Sequence, residues 1–293
     1  MRFPSGGRRW AGGRRYEGST LNLPLGIRLG DGVFETVRTY GGVPFELRSH
    51  IERMRRGAIA IGLSRLPSVP ILEQGVLRSF RMRSRHGTSR TEWIIRPLLF
   101  SETTGWGFVV EVEPLVLSSL PSNPLVVGTS RVPHPESYLT PHDAHQQVKW
   151  LSRGPLAYAL REARESGWDE ALLIDSRRRY VEGTRSNLFA IRHGVLCAPG
   201  PEAGALGGVT RQLVLDLARR AGLRTAEESI PRSRLLQAEE VFLTSTLLGV
   251  APVASIDGRP LGSVPIPGPV TRWIERGFAE RIATLKRAKK SAR

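Results

Sequence analysis

Apolar and polar positions along the chain repeat with a period near 2 in some segments and near 3.6 in others, and the two periods predict strands and helices respectively. In GVFETVRTY, residues 32–40, Val33, Val37 and Tyr40 alternate imperfectly with polar partners ahead of Gly41 and Gly42. That pattern predicts a strand folding back as a hairpin with VPFEL. From Ser49, the positions of Ile51, Met54, Ala58, Ile59 and Ile61 fall on neighbouring helical faces, and Ser49 with Glu52 has the spacing of a capping box. A second helix is predicted over 69–86. EWIIRPLLF (92–100) and FVVEVEPLVLSSL (108–120) read as two strands around a loop containing Gly105 and Gly107. This first part is α+β.

LPSNP, residues 120–124, places proline, serine and asparagine between apolar runs and predicts a linker. The expected division is a small domain over 1–119 and a larger one over 125–293. In the larger one LVVGTSR, EALLID, LFAIR, GVLCAP, EVFLTST and LLGVAPVASI read as strands. Helices are predicted over 150–166, 210–221, 232–238 and 270–286, the first with Leu156, Ala159, Leu160 and Ala163 on one side.

Composition narrows the classes. At 293 residues with 40% hydrophobic and 24% charged residues the chain has ample material for a packed interior, which excludes a disordered or fibrous protein. The single cysteine, Cys197, excludes an intramolecular disulfide and a cysteine-rich zinc site, and no metal is expected. No apolar run approaches a membrane span, and MRFPSGGRRWAGGRRYEG has no apolar segment behind its charges, so the expected address is the reducing cytoplasm. The net charge of +16 raises a basic nucleic-acid-binding protein as an alternative. Its dense clusters, however, are Arg8, Arg9, Arg14 and Arg15 at one end and Lys286, Arg287, Lys289, Lys290 and Arg293 at the other, with no interleaved aromatic motif. They read as solvated ends.

The kind of basic residue is more informative than the total. Of 43 basic residues, 39 are Arg and four are Lys, and three of those four lie in the C-terminal tail. Lys149 is alone in the body of the chain. Arginine serves salt bridges and anion binding at least as well, whereas only lysine readily loses its proton on burial and becomes a nucleophile toward a carbonyl. Lys149 is thus a candidate reactive amine or one remaining surface lysine. Glu182, in VEGTRSNLF, precedes an apolar strand, where an acidic side chain is ordinarily solvated. In GALGGVTRQLVLDLA, glycines 204, 207 and 208 precede Thr210 at a helix start, an arrangement that presents free N–H groups and a hydroxyl to a phosphate, or simply a glycine-rich connection capped by Thr. FLTSTLLG adds Thr244, Ser245 and Thr246 at a strand end.

One amine, one carboxylate and two hydroxyl-bearing phosphate candidates are what a pyridoxal 5′-phosphate site requires. Their order, GDGVFETVRTYGG (30–42), HIERM (50–54), Lys149, DEALLIDSRRRYVEGTRSNLF (169–189), GGVTR (207–211) and EEVFLTST with PVASIDGRPLG (239–262), resembles the class IV, fold-type IV pyridoxal-phosphate enzymes. These include branched-chain aminotransferases, D-amino acid aminotransferases and aminodeoxychorismate lyases. The resemblance implies a two-domain fold, with a small α+β domain and a larger mixed, barrel-like domain flanked by helices. It also implies a homodimer and small-molecule substrates, an amino acid, branched-chain among the candidates, and a 2-oxo acid. By position, Lys149 corresponds to the lysine that holds the cofactor aldehyde, Glu182 to the partner of the pyridine nitrogen, and Arg53 to the phosphate arginine. Gly208, Val209, Thr210, Ser245 and Thr246 complete the cofactor set. Thr36 falls where the lyases carry a threonine near the cofactor. KWLSR and LLGVAPV also resemble the lyases, whereas IIRPLLF resembles the branched-chain enzymes and makes Arg96 the candidate for a substrate carboxylate or else a framework salt bridge. Phe34, Leu29 and Leu247 are expected in the substrate pocket, Leu29 where a tyrosine is common. Amino-group transfer is the expected activity, with aminodeoxychorismate lyase as the alternative.

Overall fold

The computed structural model describes residues 23–88, 91–121, 124–134, 148–261 and 264–291. The Arg8–Arg15 cluster lies outside the described residues, as do residues 122 and 123 of the expected linker.

The first sheet has five strands: β1 (Gly32–Phe34), β2 (Val37–Tyr40), β3 (Val43–Pro44), β4 (Trp93–Glu102) and β5 (Gly105–Pro114). The run read as one strand over 32–40 is broken at Glu35 and Thr36 although its register against β4 is continuous, from Gly32 opposite Phe100 to Val37 opposite Ile95. Opposite the break stands Pro97. The Glu35 N–H donates to the Pro97 carbonyl at 2.9 Å, but proline has no N–H to return. Alternation with Val33 and Val37 places the Glu35 side chain in the interior, fully buried. β4 and β5 pair over their whole length, so Gly105 and Gly107 lie inside β5 rather than in a loop, and 117–119 form a short 3₁₀ turn instead of extending the strand.

Helices α1 (Leu25–Leu29), α2 (Leu47–Ala60) and α3 (Val69–Ser84) accompany this sheet. α2 begins before the predicted capping box. Its N-cap is Glu46, in the left-handed conformation, and no side chain caps it. Ile51, Met54 and Ala58 are buried as their spacing predicts, packing with Val33, Val37, Leu72 and Val76, while Ile59 is exposed.

The second sheet has ten strands and closes on itself. They are β6 (Leu125–Thr129), β7 (Glu170–Ile174), β8 (Arg179–Gly183), β9 (Asn187–Arg192), β10 (Val195–Cys197), β11 (Arg224–Ala226), β12 (Ile230–Pro231), β13 (Glu240–Ser245), β14 (Gly249–Ile256) and β15 (Arg259–Pro260). The order β9-β13-β14-β6-β7-β8 is closed by a β8–β9 pairing between Glu182 and Asn187, making a mixed barrel of six strands. Its interior holds Leu125, Val127, Leu172, Tyr180, Leu188, Leu243 and Val253.

Among the described residues, α4 (Gly154–Glu165), α5 (Val209–Arg220) and α6 (Arg232–Leu236) are interleaved with the strands of the second sheet, and α7 (Pro269–Ser291) follows them. α4 packs Ala159 and Ala163 on Ala171 and Leu173 of β7. α5 and α7 cover Phe189, Ile191 and Phe242, and Phe45 from the first sheet's side joins this cluster through Phe278, ring centroids 5.4 Å apart.

The start of α7 is held by one carboxylate. Glu240, buried at the head of β13, accepts the N–H groups of Val270 at 2.9 Å and Thr271 at 2.7 Å, where the helix dipole also favours negative charge. Glu240→Ala leaves both donors unsatisfied and is expected to lower stability by about 1–3 kcal/mol. Chemical denaturation of the two proteins, compared at equal slope, checks this.

Candidate active site

Lys149 is presented by an extended segment that runs beside β1. The Phe34 N–H donates to the Lys149 carbonyl at 3.0 Å, the Leu151 N–H donates to the Gly32 carbonyl at 2.9 Å, and Trp150 bridges to Val33. The lysine therefore precedes α4, which begins at Gly154 and not at 150. Its Nζ lies 4.9 Å from the centre of the Phe34 ring. Desolvation by burial, reinforced by the Arg53 charge and weakly opposed by Glu35, lowers its pKa to about 7. Much of the amine is neutral near neutrality, as a nucleophile must be.

Glu182 comes from β8 at the point where the barrel closes. Its Oε2 accepts the Leu206 N–H at 2.8 Å and the Asn187 amide at 3.2 Å, and its Oε1 lies 3.3 Å from His134 Nε2. The β8–β9 turn behind it is anchored on buried Glu170, whose oxygens accept the Thr184 and Ser186 hydroxyls. Asn187 also donates to the Leu206 carbonyl at 2.7 Å, and so ties the barrel seam to the loop before α5.

Arg53, on α2, is held by Glu35. Nε and Nη2 donate to the two Glu35 oxygens at 2.6 and 2.7 Å, and Nη1 reaches the Gly207 carbonyl at 2.7 Å. Burial alone would raise the Glu35 pKa, but the Arg53 charge and the His50 hydrogen bond outweigh it and keep the carboxyl well below the usual range. His50 is driven neutral by burial, so its Nδ1–H donates to Glu35 at 2.8 Å.

Lys149, Glu182, Arg53, His134 and Asn187 line one cavity of about 340 Å³. Gly208, Val209 and Thr210 form its wall at the start of α5, which no side chain caps, so the first helical N–H groups face a position suited to an anion. Gly208 must be glycine, because a Cβ there would sit 2.0 Å from Asn187 Oδ1. Ser245, Thr246 and Leu247 line the cavity from the end of β13, beside the buried Thr244 hydroxyl, which has no hydrogen-bond partner among the described residues. Phe34 and Thr36 line it from the first sheet. Arg96 does too, but its Nη1 is 2.5 Å from Glu113 on the neighbouring strand, so its charge is already met. Leu29 is not brought to the cavity: it is 67% exposed on α1.

The residues missed by sequence reasoning are Glu35, His134, Asn187 and Arg153. Glu35 left one signal, an acidic side chain at an inward position of a strand pattern. Arg153 left another, lying four residues after Lys149.

A neutral amine, a fixed carboxylate and an uncapped helix start beside an unpartnered hydroxyl fit an aldehyde on a phosphorylated pyridine. The family model for class IV amino-transferases matches residues 32–256. The chain belongs to the class IV aminotransferases. It is 28% identical over 282 residues to the branched-chain-amino-acid aminotransferase of Pseudomonas aeruginosa, covering 91% of this chain and 89% of that protein. It is equally 28% identical over 283 residues to the D-alanine aminotransferase of Bacillus licheniformis, covering 92% and 95%. The branched-chain amino acid aminotransferase of Thermobaculum terrenum in its pyridoxal-phosphate form is similar in structure, with TM-score 0.74 and 26% identity over 86% of this chain and 84% of that one. This class IV aminotransferase is a pyridoxal-phosphate-dependent enzyme of fold type IV, and its substrates are amino acids and 2-oxo acids. No helix among the described residues is long and apolar enough to cross a membrane.

The Lys149 shift has a measurable consequence in the cofactor-free protein. The unfolded chain keeps the lysine proton up to pH 10.5, the folded chain only to about 7. Between these values the unfolded state binds more protons, so stability rises with pH, and below about 7 the full cost of a buried ammonium is present. Thermal melts across this window should show that rise in the native protein and its loss in Lys149→Met. The same slope in both would show that another group is responsible.

Proposed function

We propose that this enzyme moves an amino group between a branched aliphatic amino acid and a 2-oxo acid. The observation that carries the reading is the apolar wall facing Lys149, built from Phe34, Trp150, Leu156, Leu247 and Leu248. Such a wall stabilises an aliphatic side chain by roughly 1.5–3 kcal/mol relative to water.

The geometry supports each proposed role. Lys149 holds the cofactor and, once substrate displaces it, carries the proton between the substrate α-carbon and the cofactor, a role suited to an amine with a pKa near neutrality. Glu182, fixed by three donors, keeps a proton on the pyridine nitrogen. Bound in this way, pyridoxal phosphate supplies an electron sink for the charge that develops at the α-carbon. Arg53 and the N–H groups of Val209 and Thr210 hold the phosphate, with the hydroxyls of Thr210, Ser245 and Thr246 beside them. Thr36 faces the cavity as the lyase reading requires, which keeps pyruvate elimination from aminodeoxychorismate as the second reading. The division into domains over 1–119 and 125–293 and a homodimer belong to the same proposal. Leu25 and Leu29, left exposed on α1, support the homodimer.

Spectral half-reactions of the purified holoenzyme test the substrate. Leucine, isoleucine and valine should convert the cofactor at least tenfold faster than D-alanine or L-alanine; a preference for D-alanine, or pyruvate release from aminodeoxychorismate, would replace the reading. Two substitutions separate the roles. Glu182→Gln should keep bound cofactor but lose most turnover, because a neutral amide cannot hold the ring nitrogen protonated. Arg53→Ala should weaken cofactor retention, since a charge-assisted phosphate contact contributes about 1.5–3 kcal/mol. It should also lower the melting temperature by leaving Glu35 buried and unpaired. Equal cofactor loss in both would show the roles to be misassigned.

A further inference from the structure

The charges lining the cavity do not balance. Glu182 is the one acidic lining residue among those described, against Arg53, Arg96, Lys149, Arg153 and Arg185. Three of the arginines already have carboxylate partners. Arg53 is bidentate on Glu35, Arg96 meets Glu113, and Arg185 lies 3.6 Å from Glu170. Arg153 differs. Its contacts among the described residues are one hydrogen bond from Nη2 to the Thr184 carbonyl and the face of the Phe34 ring, 5.5 Å from Cζ to the ring centre. No carboxylate of those residues lies within ion-pair distance of it.

Its position is equally particular. Arg153 is the N-cap residue of α4, whose first turn has no side-chain cap, so the positive end of the helix adds to the guanidinium. The Phe34 ring that its guanidinium covers is the one Lys149 Nζ approaches to 4.9 Å. The amine and the guanidinium therefore share one ring at the reacting end of the cavity, and the Arg153 charge helps to depress the Lys149 pKa. Guanidinium carries five donors in a planar fork, of which Thr184 takes one, and the remainder match a carboxylate. Burial lowers its pKa against the more distant charges of Glu182 and Glu170, so the cation is desolvated without a carboxylate in contact.

We infer that Arg153 is the carboxylate receptor of this site, gripping the substrate acid group while the adjacent carbon reacts beside Lys149. The inference deepens the aminotransferase reading and rests on it. It also transfers to Arg153 the role that the sequence suggested for Arg96, whose partner on the neighbouring strand already satisfies it.

Three substitutions separate receptor from scaffold. Arg153→Lys keeps the charge, Arg153→Gln keeps a donor for the Thr184 carbonyl without the charge, and Arg153→Leu keeps neither. The probe is 3-methylbutanoate, a carboxylate with no reacting carbonyl, titrated by calorimetry into the purified holoenzyme, with cofactor content and the visible band recorded in parallel. Affinity should fall about a hundredfold in Arg153→Leu and Arg153→Gln and recover to within about tenfold of the native value in Arg153→Lys, the range for unpairing a buried charge. The rate ratio of leucine to 3-methylbutylamine, the same donor without its carboxylate, should fall in parallel. Recovery by Gln instead of Lys would overturn the inference in favour of a structural bond to Thr184. Unchanged affinity in all three, or loss of bound cofactor in Arg153→Lys, would also overturn it. A native protein that carries no cofactor band defeats the aminotransferase reading instead, and the carboxylate titration still decides the role of Arg153.

Discussion

A buried carboxylate, Glu35, sets the geometry on which the site depends. It is fully enclosed, and it stays ionised only because the Arg53 guanidinium and the neutral His50 ring supply both of its oxygens with donors. Removing either partner of such a pair costs about 3–5 kcal/mol, because the remaining charge is left desolvated. The pair fixes more than stability. With two of its nitrogens committed to Glu35, Arg53 can aim its third only along the fork, and that direction leads to the Gly207 carbonyl at the approach to α5. One acid thus registers β1, β2, α2 and the candidate phosphate loop against one another.

The rest of the frame holds the first sheet against the barrel by contacts of a different kind. Tyr40, Phe45 and Phe278 pack edge to face, and Arg281 on α7 reaches Glu46 at 2.7 Å. Arg38 lies over the Tyr40 ring and donates to the Leu247 carbonyl. That bond ends one residue from Thr246, so β2 braces the cavity wall while α7 braces β2 through Tyr40 and Phe278.

Most elements with a strong apolar period were legible in the sequence: α3, α5, β7, β9, β13 and β14 lie within a few residues of their predicted bounds. The failures share a cause, which is tertiary context that no local pattern records. β8 was unreadable because RYVEG is short and carries charges at both ends, and its partner strands come from either side of it. The break at Glu35 depends on a proline sixty residues away. Ser49 and Glu52 have the right spacing for a cap, yet the chain enters α2 through Glu46, whose side chain bonds Arg281 on α7 instead of capping the helix. At the site, Lys149 stood out by residue type alone, whereas His134 and Asn187 carry no signature until the barrel seam places them on Glu182.

Barrel closure and helix packing also assign different parts of the site to different parts of the frame. Glu182, Asn187 and Thr244 belong to strands of the closed ring, where a change disturbs the seam. Arg153 sits at the N-cap of α4, which meets the ring through small side chains, Ala159 and Ala163, with Leu156 of its first turn packed against them at the cavity edge. An architecture of this kind separates chemistry from choice of acid: with the role proposed for Arg153, a change at the start of one helix retunes which acids are accepted, and Glu182 and Thr244 on the strands of the ring need not change.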